Sequence, residues 1–139
     1  TEAIPVAVRR KRSGHPAKRT FQGLRIAVNR EMETLPAVLP HALDRLDVGG
    51  RIAVLAYHSL EDRPVKEVFR DACADTAPAG LPMVPESMAA KFVPVTRGAE
   101  RPDADEMSTN PRSASARLRV IERVRPGPVN RQHATKESR

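Results

Sequence analysis

The stretch GGRIAVLAYHSLEDR, Gly49 to Arg63, decides the fold. Gly49-Gly50 is a turn signal that ends whatever precedes it. Ile52 to Ala56 is then an unbroken apolar run, β-branched in part and apolar on both alternating faces. A short run of this kind reads as a strand buried on both sides, as in a parallel sheet covered by helices. Past Tyr57 the chemistry changes: His58, Ser59, Glu61, Asp62 and Arg63 follow at once. In open α/β sheets, ligands gather beyond the carboxyl ends of the strands. The exit at Tyr57, His58 and Ser59 is therefore where chemistry is expected.

Part of that polar cluster has a purely structural reading. Ser59-Leu60-Glu61-Asp62 matches the spacing of a capping box, in which Ser59 accepts from a first-turn N–H and Asp62 reaches back to the N–H of Ser59. Pro64 sits awkwardly in a helix that starts at Ser59. Asp62 as N-cap, with Pro64 in the first turn, is the competing geometry. Neither frame explains His58 or Glu61, although His58 also reads as a histidine bonded at the sheet edge. A Ser–His nucleophile is disfavoured, because strand neighbours point to opposite faces and no glycine-flanked elbow is present. His15, His41, His58 and His133 share no metal-ligand spacing, and Cys73 is the sole cysteine, so no metal site is expected. Cys73 reads as a small residue on a helix face, in a reducing cytoplasmic compartment.

Outward from this stretch, Val65, Val68, Phe69 and Ala72 recur at helical spacing. Upstream, Leu24, Ala27, Val28, Met32 and Leu35 form another helical stripe, with Thr20 as its N-cap and Pro36 as its break. Val38, Leu39, Ala42, Leu43 and Leu46 mark a further helix, ended by the Asp47–Gly50 turn. Residues 75–90 read as a loop, KFVPV (Lys91 to Val95) as a short edge strand, and residues 97–111 as a long excursion. SARLRVIERV, Ser115 to Val124, alternates Leu118 and Val120 against Arg117, Arg119 and Arg123, as a strand of an antiparallel pair. The expected layout is a basic extended lead-in over 1–19, an α/β region over 20–124, and a basic flexible tail over 125–139.

Composition limits the function classes. The 139 residues carry a net charge of +7 and a pI near 10.5. That balance suits a polyanionic partner, since Lys and Arg displace counterions from phosphates. RRKRSGHPAKR, Arg9 to Arg19, holds basic residues and no acid. Asn110 to Arg119, NPRSASARLR, is a second basic block, with a turn and small residues that let a backbone approach. A solvated, charge-protected hairpin edge is the alternative for this block. No apolar run approaches the roughly 18 residues of a membrane span, and no secretory signal or membrane partner is expected. Two function classes remain open: half of an enzyme, or a non-catalytic basic RNA-binding module.

One strong buried strand cannot satisfy its own backbone groups. The chain therefore reads as a piece of a larger sheet. Gly49-Gly50 precedes the strand, the wrong order for a nucleotide-binding turn.

Three blocks settle the resemblance: HPAKRTFQGLRIAVNREMETL, GGRIAVLAYHSLEDRPVKEVF and NPRSASARLRVIER, in that order. They resemble the MraW family of bacterial 16S rRNA cytosine-N4 methyltransferases. Gly23 and Pro64 depart from the family's usual Ala and aliphatic residue, and Ala56-Tyr57 from its usual Ser-Phe. The resemblance implies the carboxyl-terminal portion of a class I, Rossmann-like methyltransferase. It implies one buried parallel strand with flanking helices, closed by an antiparallel hairpin of Lys91–Val95 and Ser115–Val124. It further implies methyl transfer from S-adenosylmethionine to N4 of a cytidine, with the donor bound mainly by an amino-terminal half absent here, so that this chain alone is inactive. His58, Ser59 and Glu61 are the implied catalytic residues. Lys18, Arg19, Arg25, Arg112, Arg117 and Arg119 are the implied RNA contacts. The implied partners are 16S rRNA in the small ribosomal subunit and the missing half, with a homodimer left open.

Overall fold

The computed structural model describes residues 17–29 and 31–129; the rest of the basic lead-in and the end of the tail lie outside the described residues. In chain order the elements are helices α1 (Lys18–Asn29) and α2 (Glu31–Asp44), strand β1 (Arg51–Ala56) and helix α3 (Ser59–Ala72). They continue with a 3-10 turn (Glu86–Met88), strand β2 (Phe92–Pro94), helix α4 (Ala104–Thr109), a second 3-10 turn (Pro111–Ser115) and strand β3 (Arg117–Arg123). The chain divides into two compact units, one ending at Thr34 and the other starting at Leu35.

In the first unit, α1 starts earlier than its sequence suggests. The N–H of Phe21 donates to the carbonyl of Ala17 at 3.0 Å, so Thr20 lies inside the helix and not at its N-cap. Phe21, Leu24 and Val28, at i, i+3 and i+7, share one face and are all exposed.

The helix break expected at Pro36 is not there: α2 runs from Glu31 to Asp44 through both Pro36 and Pro40. Each proline removes one backbone bond. Packing outweighs that loss, because α2 delivers Leu39 and Leu43 into the core at 3% and 0% exposure.

The second unit is built on a three-stranded sheet in the order β1-β3-β2, antiparallel throughout. Arg51 pairs with Glu122 and Ala56 with Arg117 along β1, while Phe92 pairs with Arg123 on the other side of β3. β1 has no parallel neighbour among the described residues; the parallel neighbours expected of it are assigned to the rest of the sheet, and its one ladder here is antiparallel, to β3. It is not buried on both faces as expected: Ile52, Val54 and Ala56 turn inward, while Arg51, Ala53 and Leu55 are exposed. The reason is that the core cluster lies on one face only. It joins Leu39 and Leu43 of α2, Val65, Phe69 and Ala72 of α3, Phe92 of β2, Ile121 of β3 and Val129. Each fully buried large side chain here, such as Phe92, Leu43 or Val65, contributes about 1.5–3 kcal/mol.

The alternation in β3 was legible, and its direction was not. Strand periodicity puts Arg117, Arg119, Ile121 and Arg123 on one face. Ile121 is 2% exposed and belongs to the core, so the arginine face is the inward one. Arg123, itself buried, donates to the carbonyls of Leu43 (3.2 Å) and Leu46 (2.8 Å) at the end of α2, and to those of Arg125 and Gly127. Its guanidinium also lies 5.6 Å from the centre of the Phe92 ring. β3 is moreover the central strand and not an edge.

The turn into β1 needs its glycines. Gly49 has φ +86, the left-handed region, and a Cβ on Gly50 would lie 2.8 Å from the carbonyl oxygen of Asp47. Gly49 N–H donates to Arg123 O, and Arg123 N–H to Gly50 O, which closes the turn onto β3.

Candidate functional site

β1 ends at the buried Ala56, and Tyr57, His58, Ser59 and Leu60 all emerge exposed. The extended backbone of His58 (φ −126, ψ 143) makes it the N-cap of α3. The carboxylate of Glu61 accepts the N–H of Tyr57 at 3.1 Å and that of His58 at 3.2 Å. The carbonyl of His58 in turn accepts the N–H groups of Glu61 and Asp62, at 3.1 and 2.9 Å. The capping frame is therefore His58–Glu61, one residue earlier than the frame starting at Ser59 and four earlier than the one starting at Asp62. Ser59 is the first helical residue, and Glu61 has the structural task that had been given to Asp62. Pro64 lies inside α3. Its missing N–H leaves the carbonyl of Leu60 without the usual partner, on the exposed side of the first turns.

Asp62 is free of capping and reaches the sheet. It accepts two hydrogen bonds from Arg119, Nε at 2.7 Å and a terminal nitrogen at 3.0 Å. Arg117 Nε lies 4.0 Å from the same carboxylate. The hydrogen bond from Arg119 holds the Asp62 carboxyl below its ordinary range, against a smaller opposing push from burial; the positive charges of Arg119, Arg117 and Lys66 add to the lowering. Both partners of the bidentate pair are only 14% exposed.

Two cavities flank this region. One, of about 260 Å³, lies at the exit of β1 and is lined by Leu55, Tyr57, Ala116 and Leu118 with Glu100, Arg101, Pro102 and Glu106. The other, of about 410 Å³, opens between α3 and the strands; Lys66, Phe69, Arg70, Cys73, Thr96 and Arg119 are among its walls. Burial pushes the Cys73 thiol up to about 11. Among the described residues no group of three potential ligands could hold a metal ion, and no helix is long and apolar enough to cross a membrane.

The expected RNA contacts separate. Lys18, Arg19 and Arg25 lie on α1 in the first unit, with Arg25 exposed. Arg112 is exposed on the 3-10 turn, whose start is fixed by the Asn110 side chain accepting the N–H of Arg112. Arg119 pairs with Asp62, and the more exposed Arg117 lies 4.0 Å from the same carboxylate. Glu100 and Glu106 were not singled out from sequence. A signal existed: Asp103-Ala104-Asp105-Glu106 has cap spacing, and Asp103 does accept the N–H of Glu106 at 2.8 Å. Glu100 is placed by a bridge to Leu118.

A three-stranded sheet packed on one face against helices, with polar residues gathered at a strand exit, defines a segment of a mixed α/β domain. The chain belongs to the MraW methylase family, whose model matches residues 1–124. It is 92% identical, over all 139 residues, to the ribosomal RNA small subunit methyltransferase H of Cutibacterium acnes, and covers 41% of that protein. It is 56% identical over 126 residues to the enzyme of the same name in Mycobacterium leprae, with 91% of this chain and 34% of that protein covered. The Mycobacterium bovis protein is 53% identical over 136 residues, again with 34% of its length covered. The chain thus spans between a third and two-fifths of these relatives.

Proposed function

We propose that this chain is part of an S-adenosylmethionine-dependent methyltransferase acting on the exocyclic N4 of a cytidine in small-subunit (16S) ribosomal RNA. Family membership supports methyl transfer, and the names of the relatives support ribosomal RNA as the acceptor. The free edge of β1 takes parallel neighbours from the rest of the protein, which also covers the exposed Ala53 and Leu55. The described residues do not suit the methyl donor: β1 passes straight into His58, and no glycine-rich turn follows a strand. The donor therefore belongs to the remainder, and the chain by itself is inactive.

The observation that carries the acceptor side is the cavity at the exit of β1. The N4 lone pair of cytosine is delocalised into the ring, so a protein must accept an amine proton as the new bond forms. The base must also leave its stack and be read on its Watson–Crick edge. Tyr57 offers a stacking face, Leu55 and Leu118 an apolar wall, and Glu100 and Glu106 carboxylates that accept amine N–H groups. His58 and Ser59 are exposed at the same strand exit but are not among the cavity's walls; in this reading His58 is the proton acceptor, and Glu61 holds the His58 peptide in place. Lys18, Arg19, Arg25, Arg112 and Arg117 follow the phosphates.

The test uses the intact protein, with labelled donor and small-subunit RNA. His58→Ala lowers methyl transfer by about 10²–10⁴-fold, the usual contribution of a proton-transfer group; Tyr57→Ala and Glu61→Ala also lower it. Turnover unchanged in His58→Ala and Glu61→Ala rejects the site. Donor binding by the 139-residue chain alone rejects the placement of the donor in the remainder.

A further inference from the structure

Arg119 belongs to a basic block that invites a phosphate-binding role, yet its guanidinium is turned away from solvent and bound at two points to Asp62. Asp62 sits in the first turns of α3, and its N–H donates to the carbonyl of His58 at 2.9 Å. The N–H of His58 is held by Glu61. The His58 peptide is thus gripped at both ends, and one grip leads through Asp62 to Arg119 on the central strand. The sheet and the exit turn are joined across 57 residues of sequence by this bidentate pair. A bidentate fork fixes direction as well as distance, which a single ammonium contact does not.

We infer that Arg119 is a positioning residue: through Asp62 it fixes the first turn of α3 and thereby the direction of His58 at the strand exit. This rests on the proposed function, in which His58 takes the proton from the target amine. Arg119 acts on turnover and leaves RNA affinity alone. Its neighbour Arg117 shares the Asp62 carboxylate at 4.0 Å and is about twice as exposed, at 29%. Arg117 is the one of the two with charge left to offer a phosphate.

The experiment compares Arg119→Met, Arg119→Lys, Asp62→Asn and their combinations in the intact protein. It reads kcat, KM for RNA, the salt dependence of RNA binding, and hydrogen exchange over residues 57–62. Arg119→Met is expected to lower kcat at least tenfold with KM and the salt slope unchanged. Asp62→Asn does the same. The double variant is no worse than Arg119→Met alone, because the pair acts as a unit. Arg119→Lys restores only part of the rate. Exchange at residues 57–62 speeds up in each of these variants.

Three results overturn the assignment. One is a salt slope reduced by about 0.7–0.9, one phosphate's worth, with kcat intact. Another is additive losses in the double variant. The third is faster exchange without any loss of kcat in a background where His58→Ala is inactive. If His58→Ala itself retains full activity, the proposed site fails, and the exchange data still report whether Arg119 holds the turn.

Discussion

Replacing Arg123 by Met removes the guanidinium but keeps the length and most of the stem. The side chain is 7% exposed overall, so its donors have no water to compete for. Five groups lose a partner: the carbonyls of Leu43, Asp44 (at a long 3.5 Å) and Leu46 around the end of α2, and those of Arg125 and Gly127. An unsatisfied buried polar group costs about 1–3 kcal/mol. Leu43 O keeps a second donor, the N–H of Leu46 at 3.3 Å, which reduces its share. Counting two carbonyls at full cost gives about 2–6 kcal/mol. The contact with Phe92 adds about 0.5–2 kcal/mol. The favourable placement of a cation at the α2 carboxyl end adds about 0.3–1 kcal/mol. Because such terms overlap, the expected loss is about 4 kcal/mol, a large part of the usual 5–15 kcal/mol of a folded domain. Urea denaturation of the intact protein measures it, with Arg112→Met as the control. Arg112 is exposed, and its loss stays within about 0.5 kcal/mol. Arg123→Lys keeps the charge without the fork and falls between. An Arg123→Met protein within about 1 kcal/mol of the parent refutes the view that this arginine ties α2 to the sheet.

Three further outcomes follow from local features. Gly23→Ala stabilises α1 by about 1 kcal/mol, because a Cβ there meets nothing within 4 Å; helix content by circular dichroism and the melting temperature both rise. With its thiol raised to about 11, Cys73 holds little thiolate at pH 8, so iodoacetamide alkylates it roughly two hundredfold more slowly than a free cysteine. A free-thiol rate shows the helix end to be open. Asp62 has a lowered folded-state pKa, so the stability it confers is complete above the unfolded value near 3.9 and is lost as pH falls through the folded value. Asp62→Asn therefore costs stability near neutrality and flattens the acid limb of the stability curve below about pH 4; an acid limb of unchanged slope contradicts the pairing.

Element identity was readable where periodicity and punctuation agreed. Gly49-Gly50 and the run after it located β1, and Val65, Val68, Phe69 and Ala72 located α3. The pairing of Lys91–Val95 with Ser115–Val124 also emerged as an antiparallel ladder, Phe92–Pro94 against Arg117–Arg123. What stayed hidden was which of two chemically similar options the tertiary structure selects. Ser59–Asp62 and His58–Glu61 both offer capping geometry, and Arg119 decides between them by claiming Asp62 from 57 residues away. Arginines at alternate positions look like a solvent face unless their partners are known. Here those partners are α2 carbonyls and an α3 carboxylate, and Ile121, the apolar residue among these arginines, was the one sign in the sequence that the face turns inward. At the site, the strand exit was foreseeable from its polar residues. The far wall of the cavity, Glu100 and Glu106, came from a segment whose only order signals are a cap at Asp103 and a single bridge.

The central position of β3 sets a timetable for the newborn chain. Arg51 meets Glu122 only after 71 further residues have been added, which at bacterial-scale synthesis rates is about 4–14 s. Throughout that interval the first strand has no partner downstream of it, and β2 can find none until the same late segment emerges. Translation that stops before Arg117 leaves β2 unpaired and the β3-facing edge of β1 open, a substrate for chaperones or proteases instead of a shortened but orderly fold.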